Sequence, residues 1–131
     1  MKILLDTNAL IWFANGDEKL SRNAIDSIEN PENEKFVSVA SIWEIAIKKS
    51  IGKLDFPFDL NNLVDILENN GFFMLDILSK HAIAIEILPL IHRDPFDRII
   101  FAQALTEEMQ LISVDKIFDD YLVGTMVSRI W

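Results

Sequence analysis

The chain has no cysteine among its 131 residues, so disulfides and thiolate metal sites are both excluded. Long apolar runs are missing too: none reaches the ~18 residues that a membrane-spanning helix needs. Met1-Lys2 leads straight into a strand-like segment with no signal-peptide pattern, so the expectation is a cytoplasmic protein with no membrane partner. Repeats, low-complexity tracts and linkers are absent as well. Basic residues are in short supply, with 12 Lys and Arg against 21 Asp and Glu and a net charge of −9. That balance lacks the basic footprint usual for nucleic-acid binding. It points instead to solubility, a basic partner, or acids gathered around cations, and most acids in such chains simply solvate helix faces.

What is present is globular. Half the residues are apolar and a quarter are charged, enough for a sizeable core in one domain spanning 1–131. Strands are expected at Lys2–Leu5, Phe36–Val39, Phe72–Leu75 and Gln110–Ser113, with a fifth in the tail Met126–Trp131. Between them the pattern predicts helices. One is capped by Asn8 and runs through Phe13, apolar on nearly all sides, and another runs from Ser21 to Asn30. A third extends from Ser41 to about Ser50, with Ser41 and Glu44 forming a capping box. Further helices open at Asp59 and at Ser79, the latter passing through Ile87, and a short one lies near Ile117-Phe118. Asp94-Pro95 reads as N-cap and first residue of a helix reaching about Glu108. Strands separated by helices predict an α/β fold: a three-layer open parallel sheet of four to five strands with helices on both faces.

In such a sheet a site forms outside the C-terminal strand ends, where neighbouring connections diverge. Asp6 and Asp115 each follow a strand, while Glu44 and Asp97 each fall in the first turn of a helix. If the first and fourth strands are adjacent, all four carboxylates project into one crevice. Four carboxylates, with no thiol and no histidine required, suit Mg²⁺ or Mn²⁺. The matching chemistry is metal-assisted phosphodiester hydrolysis with one or two ions.

Each residue also has a plainer reading. Glu44 serves equally as half of a capping box, Asp97 as an acid favoured by the helix dipole, and Asp115 as a turn residue. Asp94 reads as a cap before it reads as a ligand. Thr7, Asn8 and Ser113 suit turns and caps. Asp6 is harder to set aside, because an acid closing a buried strand is costly unless paired or metal-bound. Lys48, four residues after Glu44, fits a surface ion pair. Together with Lys49, Lys53, Arg93 and Arg98 it also fits a guide for a phosphate backbone. His92 reads first as a hydrogen-bonded structural residue and second as one that orients a ligand or exchanges protons. His81 gets only the structural reading.

The ordered segments Leu4-Leu5-Asp6-Thr7-Asn8, Ser41-Ile42-Trp43-Glu44-Ile45, His92-Arg93-Asp94-Pro95-Phe96-Asp97-Arg98 and Ser113-Val114-Asp115 resemble the PIN-domain family. Within it the chain is similar to the VapC toxins of type II toxin–antitoxin systems. The resemblance implies a Mg²⁺- or Mn²⁺-dependent ribonuclease acting on RNA, commonly a homodimer, held in check by a cognate antitoxin. By motif position it implies Asp6, Glu44 and Asp97 as principal acids, Asp115 completing the cluster and Asp94 in a second line. Asn8 stands where many relatives carry a histidine. The antitoxin of such pairs inserts a helical or extended segment into an apolar groove, for which the Leu10–Phe13 helix with Trp43 offers a surface, although core packing explains those residues equally well.

Two rival readings remain at this level. A receiver-type phosphoacceptor domain shares a parallel sheet and an acidic crevice, and would use Asp76 after the third strand. Against it, the first strand ends in Asp-Thr rather than paired acids, and no suitably placed lysine follows a fifth strand. The other rival is a catalytically silent PIN-like binding module, although nothing is visibly missing from the acidic set.

Overall fold

Ile3, Leu4 and Leu5 are consecutive and all fully buried, which a strand achieves only when both faces of its sheet are covered. The computed structural model describes residues 1–90 and 92–131. In it β1 (Lys2–Leu5) is the centre of an all-parallel five-stranded sheet. The other strands are β2 (Glu34–Ser38), β3 (Phe72–Leu75), β4 (Gln110–Ile112) and β5 (Arg129–Ile130), in the order β3-β2-β1-β4-β5.

Alternation along the strands divides the interior in two. Ile3, Leu5, Val37 and Ile112 face one core. It is completed by Leu10 of α1 (Thr7–Asn15), Ala24 and Ile28 of α2 (Arg22–Glu29), and Leu63 and Leu67 of α4 (Leu60–Asn69). Leu4 and Leu111 face the other, with Ile100, Phe101 and Ala104 of α6 (Pro95–Thr106) and Phe118 of α7 (Phe118–Leu122). The helix α3 (Val39–Ser50) serves both, giving Ile45 to the first core and Ala40 to the second, and it packs on α1 and α6. A short α5 (Ser79–Ala84), continued by a 3-10 turn at Ile85–Ile87, packs on α6. The expected three-layer arrangement is therefore the observed one. Among the described residues no helix is long and apolar enough to cross a membrane.

The chain builds the sheet outward from β1 to β2 and β3, then returns to place β4 on the opposite side of β1. β1 and β4 are thus adjacent, with Leu5 opposite Ile112, and the Asp6 N–H extends the ladder to the Ile112 carbonyl at 3.0 Å. Their onward connections leave in opposite directions, which opens a crevice at their C-terminal ends. The same topology overturns the receiver-type reading. Asp76 follows the edge strand β3, is exposed, and is separated from β1 by β2, so it does not share the crevice with Asp6.

Three helix starts differ from expectation. Asp6, not Asn8, caps α1, its Oδ1 accepting the Ala9 N–H at 2.8 Å, and Asn8 is exposed. Ser38, not Ser41, caps α3: its Oγ accepts the Ala40 N–H at 3.0 Å and donates to Gln103 Oε1 at 2.6 Å. The capping box assigned to Ser41 and Glu44 therefore does not exist. In both cases the strand runs directly into the helix, so the residue that ends the strand becomes the cap. At α5, Leu78 rather than Ser79 occupies the N-cap, and its N–H is satisfied by His81 Nδ1 at 2.9 Å. The predicted caps Ser21, Asp59 and Asp94 are the observed ones.

Candidate metal centre

The crevice between β1 and β4 collects acids from four elements. Asp6 arrives directly from β1, 4 % exposed. Glu44 comes from the middle of α3, Asp97 from the first turn of α6, and Asp115 from the loop after β4. Their fields overlap. Burial, reinforced by the charges of Asp115 and Glu44, raises the Asp6 pKa to about 6 despite hydrogen bonds from Ser113 and the Ala9 N–H. Burial together with Asp94, Asp6 and Glu44 raises Asp97 to about 7, with His92 acting in the opposite sense. Like charges forced into a poorly solvated space resist ionisation, which is what a cation at their centre would relieve.

Glu44 carries a second indication. Its Oε2 pairs with Lys48 Nζ at 2.6 Å, and that contact raises the Lys48 pKa. Its Oε1 is buried with no hydrogen-bond partner among the described residues. An unpaired buried carboxylate oxygen costs on the order of 1–3 kcal/mol or more, so Oε1 is the atom a cation would satisfy. With the capping role removed, the local ion pair with Lys48 engages only Oε2 and leaves Oε1 unexplained.

Asp97 Oδ2 and Asp115 Oδ2 both contact His92 Nε2, at 2.9 and 3.2 Å. Asp115 is further held by the Ile117 N–H on Oδ1 at 3.0 Å, and its own N–H donates to the buried Ser113 Oγ at 3.1 Å. Asp94 caps α6, its Oδ1 accepting the Phe96 N–H at 2.9 Å. Thr7 donates to Ser41 Oγ at 3.0 Å in the buried floor, tying α1 to α3 behind the acids. Ser41 thus has a tertiary role where a cap was expected. The arginines of the motif divide: Arg93 is exposed, whereas the Arg98 guanidinium reaches the carbonyls of Pro89, His92 and Ile85 and the Tyr121 hydroxyl. Arg98 therefore secures the segment that leads into α6. His92 bridging two acids is the feature that sequence reasoning ranked too low; its position two residues ahead of the Asp94-Pro95 helix start was the available signal.

The donor set is hard carboxylate oxygen with no sulfur, which fits a divalent cation of the magnesium or manganese kind. The acids gather at the topological switch point of the sheet, where α/β folds bind ligands, and comparison with known proteins narrows the class. The PIN domain family model matches residues 3–122. The chain belongs to the PIN-domain family. No curated protein matches it in sequence. Among solved structures it is similar to VapBC2 from Rickettsia felis bound to a DNA fragment from its promoter, with a TM-score of 0.71 and 16 % identity over 100 % of both chains. It is also similar to VapBC-1 from nontypeable Haemophilus influenzae, with a TM-score of 0.68, 16 % identity and coverage of 97 % of this chain and 96 % of that one. A toxin–antitoxin complex from Klebsiella pneumoniae aligns with a TM-score of 0.63 and 21 % identity, covering 95 % and 94 %. At these identities the likeness is one of fold.

Proposed function

We propose that the protein is a Mg²⁺- or Mn²⁺-dependent endoribonuclease, the toxin of a type II toxin–antitoxin pair. The observation that carries the reading is the convergence of Asp6, Glu44, Asp97 and Asp115 on the β1/β4 crevice with Glu44 Oε1 buried and unpartnered. These four residues would hold the metal; Asp94 caps α6 and adds its charge to the cluster. A bound ion would supply Lewis-acid stabilisation at the scissile phosphate and acidify the attacking water.

The chain's own residues do the rest. Asp6 and Asp97 sit on a strand end and a helix start, so their carboxylates are placed by rigid elements. Ser113 hydrogen-bonds Asp6, Thr7 ties α1 to α3 through Ser41, and the exposed Asn8 is assigned a secondary role toward the substrate. Arg93 and the half-buried Lys48 receive the RNA backbone, and Arg98 contributes by holding the motif in place. In a chain of net charge −9, a cation among the crevice acids would lessen their repulsion of the RNA phosphates, so RNA affinity should rise with metal. We place this activity in the cytoplasm.

The antitoxin reading is supported by two apolar clefts that flank the end of α1 and share Phe13. One is lined by Trp12, Leu20 and Ile25 with Asp17, Glu18 and Glu29 at its rim. The other is lined by Phe58, Leu63, Ile66 and Phe72. The acidic rim suits a basic, apolar segment of a partner. Of the surface expected from Leu10–Phe13 and Trp43, Leu10 is fully buried, Trp12 and Phe13 line the clefts, and Trp43 lies outside them, exposed and packed edge-on against Phe96 at 4.9 Å. Homodimerisation belongs to the same reading. The deciding experiment is cleavage of a defined total-RNA pool with and without Mn²⁺, with cut ends mapped. Metal-dependent cuts that disappear in Asp6→Asn support it; cuts that persist in Asp6→Asn, or none at all with metal, sink it.

A further inference from the structure

His92, Asp97 and Asp115 have the spacing of three metal ligands, with one donor atom from each lying within 4.8 Å of the others. The hydrogen bonding of the ring says otherwise for the histidine. Nδ1 accepts the Asp94 N–H at 3.2 Å. A nitrogen that accepts carries no hydrogen, so the neutral ring holds its one proton on Nε2. That N–H faces Asp97 Oδ2 at 2.9 Å and Asp115 Oδ2 at 3.2 Å. A metal-bound histidine has the reverse arrangement, donating through its other nitrogen to a carbonyl or carboxylate. The ring is further fixed by its tilted contact with Phe118, centroids 5.7 Å apart, and its backbone N–H donates to the Tyr121 hydroxyl at 2.7 Å.

We propose that His92 is a positioning residue, an Nε2–H donor shared between Asp97 and Asp115 that presets the two carboxylates for the metal. This role rests on the metal reading given above. The two acids come from separate elements, α6 and the loop after β4, and repel each other at close range. A donor between their Oδ2 atoms holds them together and leaves their remaining capacity to a cation. Asp94 then has two tasks in one residue: its side chain caps α6, and its N–H selects the ring tautomer that makes His92 a donor.

The direct test is long-range ¹H–¹⁵N imidazole NMR on the full chain with the ring neutral, the two histidines assigned with His92→Gln. The expected result is the Nε2–H tautomer at His92, retained when Mg²⁺ saturates the protein. In pulsed EPR of the untagged Mn²⁺ form, the ¹⁴N coupling of a coordinated imidazole should be missing. Calorimetric Mn²⁺ affinity should fall about 10–100-fold in His92→Ala and recover largely in His92→Gln, whose amide N–H reaches toward the Nε2 position. An imidazole coupling to Mn²⁺, or an Nδ1–H tautomer in the Mg²⁺ form, overturns the proposal and makes His92 a ligand. Unchanged Mn²⁺ affinity in His92→Ala also overturns it. Failure of the wild type to bind Mn²⁺ overturns both this role and the metal reading, whereas Mn²⁺ binding with an imidazole coupling overturns this role alone.

Discussion

The two histidines of the chain are built alike and end differently. His81 accepts the Leu78 N–H on Nδ1 and turns Nε2 to Glu107 Oε1 at 2.8 Å. His92 accepts the Asp94 N–H on Nδ1 and turns Nε2 to Asp97 and Asp115. In each, a backbone N–H at a helix start fixes the ring and aims a donor at carboxylate. The difference lies in the balance of charge around the acid. Glu107 also has Lys80 at 2.8 Å, and the hydrogen bonds from Lys80 and His81 lower its pKa. Asp97 has His92 against the charges of Asp94, Asp6 and Glu44, and burial together with those acids raises its pKa to about 7. A carboxylate that already has its cation makes a structural joint; carboxylates in excess make a site that asks for one.

This contrast can be broken at several points. The largest effect is expected from Asp6→Asn and Asp97→Asn, each removing a proposed ligand and, on that reading, lowering RNA cleavage by at least about 100-fold. Because each also removes a buried charge from a repulsive cluster, the metal-free variants should melt higher, by on the order of 3 °C. Calorimetry and a cleavage assay on the same samples check both halves, and a loss of activity accompanied by a lower melting temperature would mean that the acids are structural. Next, Mn²⁺ at about 100 times its dissociation constant should add about 2.7 kcal/mol to wild-type stability, and much less to Asp97→Asn.

The histidines themselves should then differ in metal affinity. His81→Ala leaves the Leu78 N–H without its acceptor inside the protein, for a cost of about 1–3 kcal/mol with metal affinity unchanged. His92→Ala likewise frees the Asp94 N–H, so its stability cost should be comparable, and the weakened metal binding is what sets it apart. Denaturation and titration of the two variants side by side distinguish the outcomes.

Acidity gives a smaller and more general readout. The folded pKa values of Asp6 and Asp97, about 6 and about 7, lie above the ordinary 3.8. The folded chain therefore holds protons that the unfolded chain releases, and that contribution to stability is complete below about pH 4 and lost as the pH rises through 6 and 7. Metal-free protein should show a lower urea midpoint at about pH 8 than at about pH 5, and saturating Mg²⁺ should flatten the difference. The smallest effect is expected at Glu107→Gln, whose ion pair with Lys80 is largely solvated and worth at most about 1 kcal/mol.

Much of this molecule was legible before its structure. Strand β3 was read to the residue, and the caps Ser21, Asp59 and Asp94 were correct, because each is an isolated Ser or Asp ahead of an apolar periodic run. The caps expected at Asn8, Ser41 and Ser79 are displaced to Asp6, Ser38 and Leu78. Asp6 and Asn8 both suit a cap, as do Ser38 and Ser41. The choice falls to the residue at which the strand pairing ends: Asp6 N–H still bonds Ile112, and Ser38 still pairs with Leu75. That information lies in the neighbouring strands. The error at Ser41 had a cost, since it supplied Glu44 with a structural purpose that it does not have.

By itself the sequence determined the element types, the all-parallel α/β class and the set of acids worth suspecting, because periodicity, caps and strand-end carboxylates are local properties. Only the tertiary structure decided that β4 lies against β1, that Glu44 Oε1 is buried without a partner, and that His92 faces two acids while His81 faces an acid already paired. The physical reason is that a carboxylate's meaning depends on the charges and solvent around it, and those are set by residues far away in the chain.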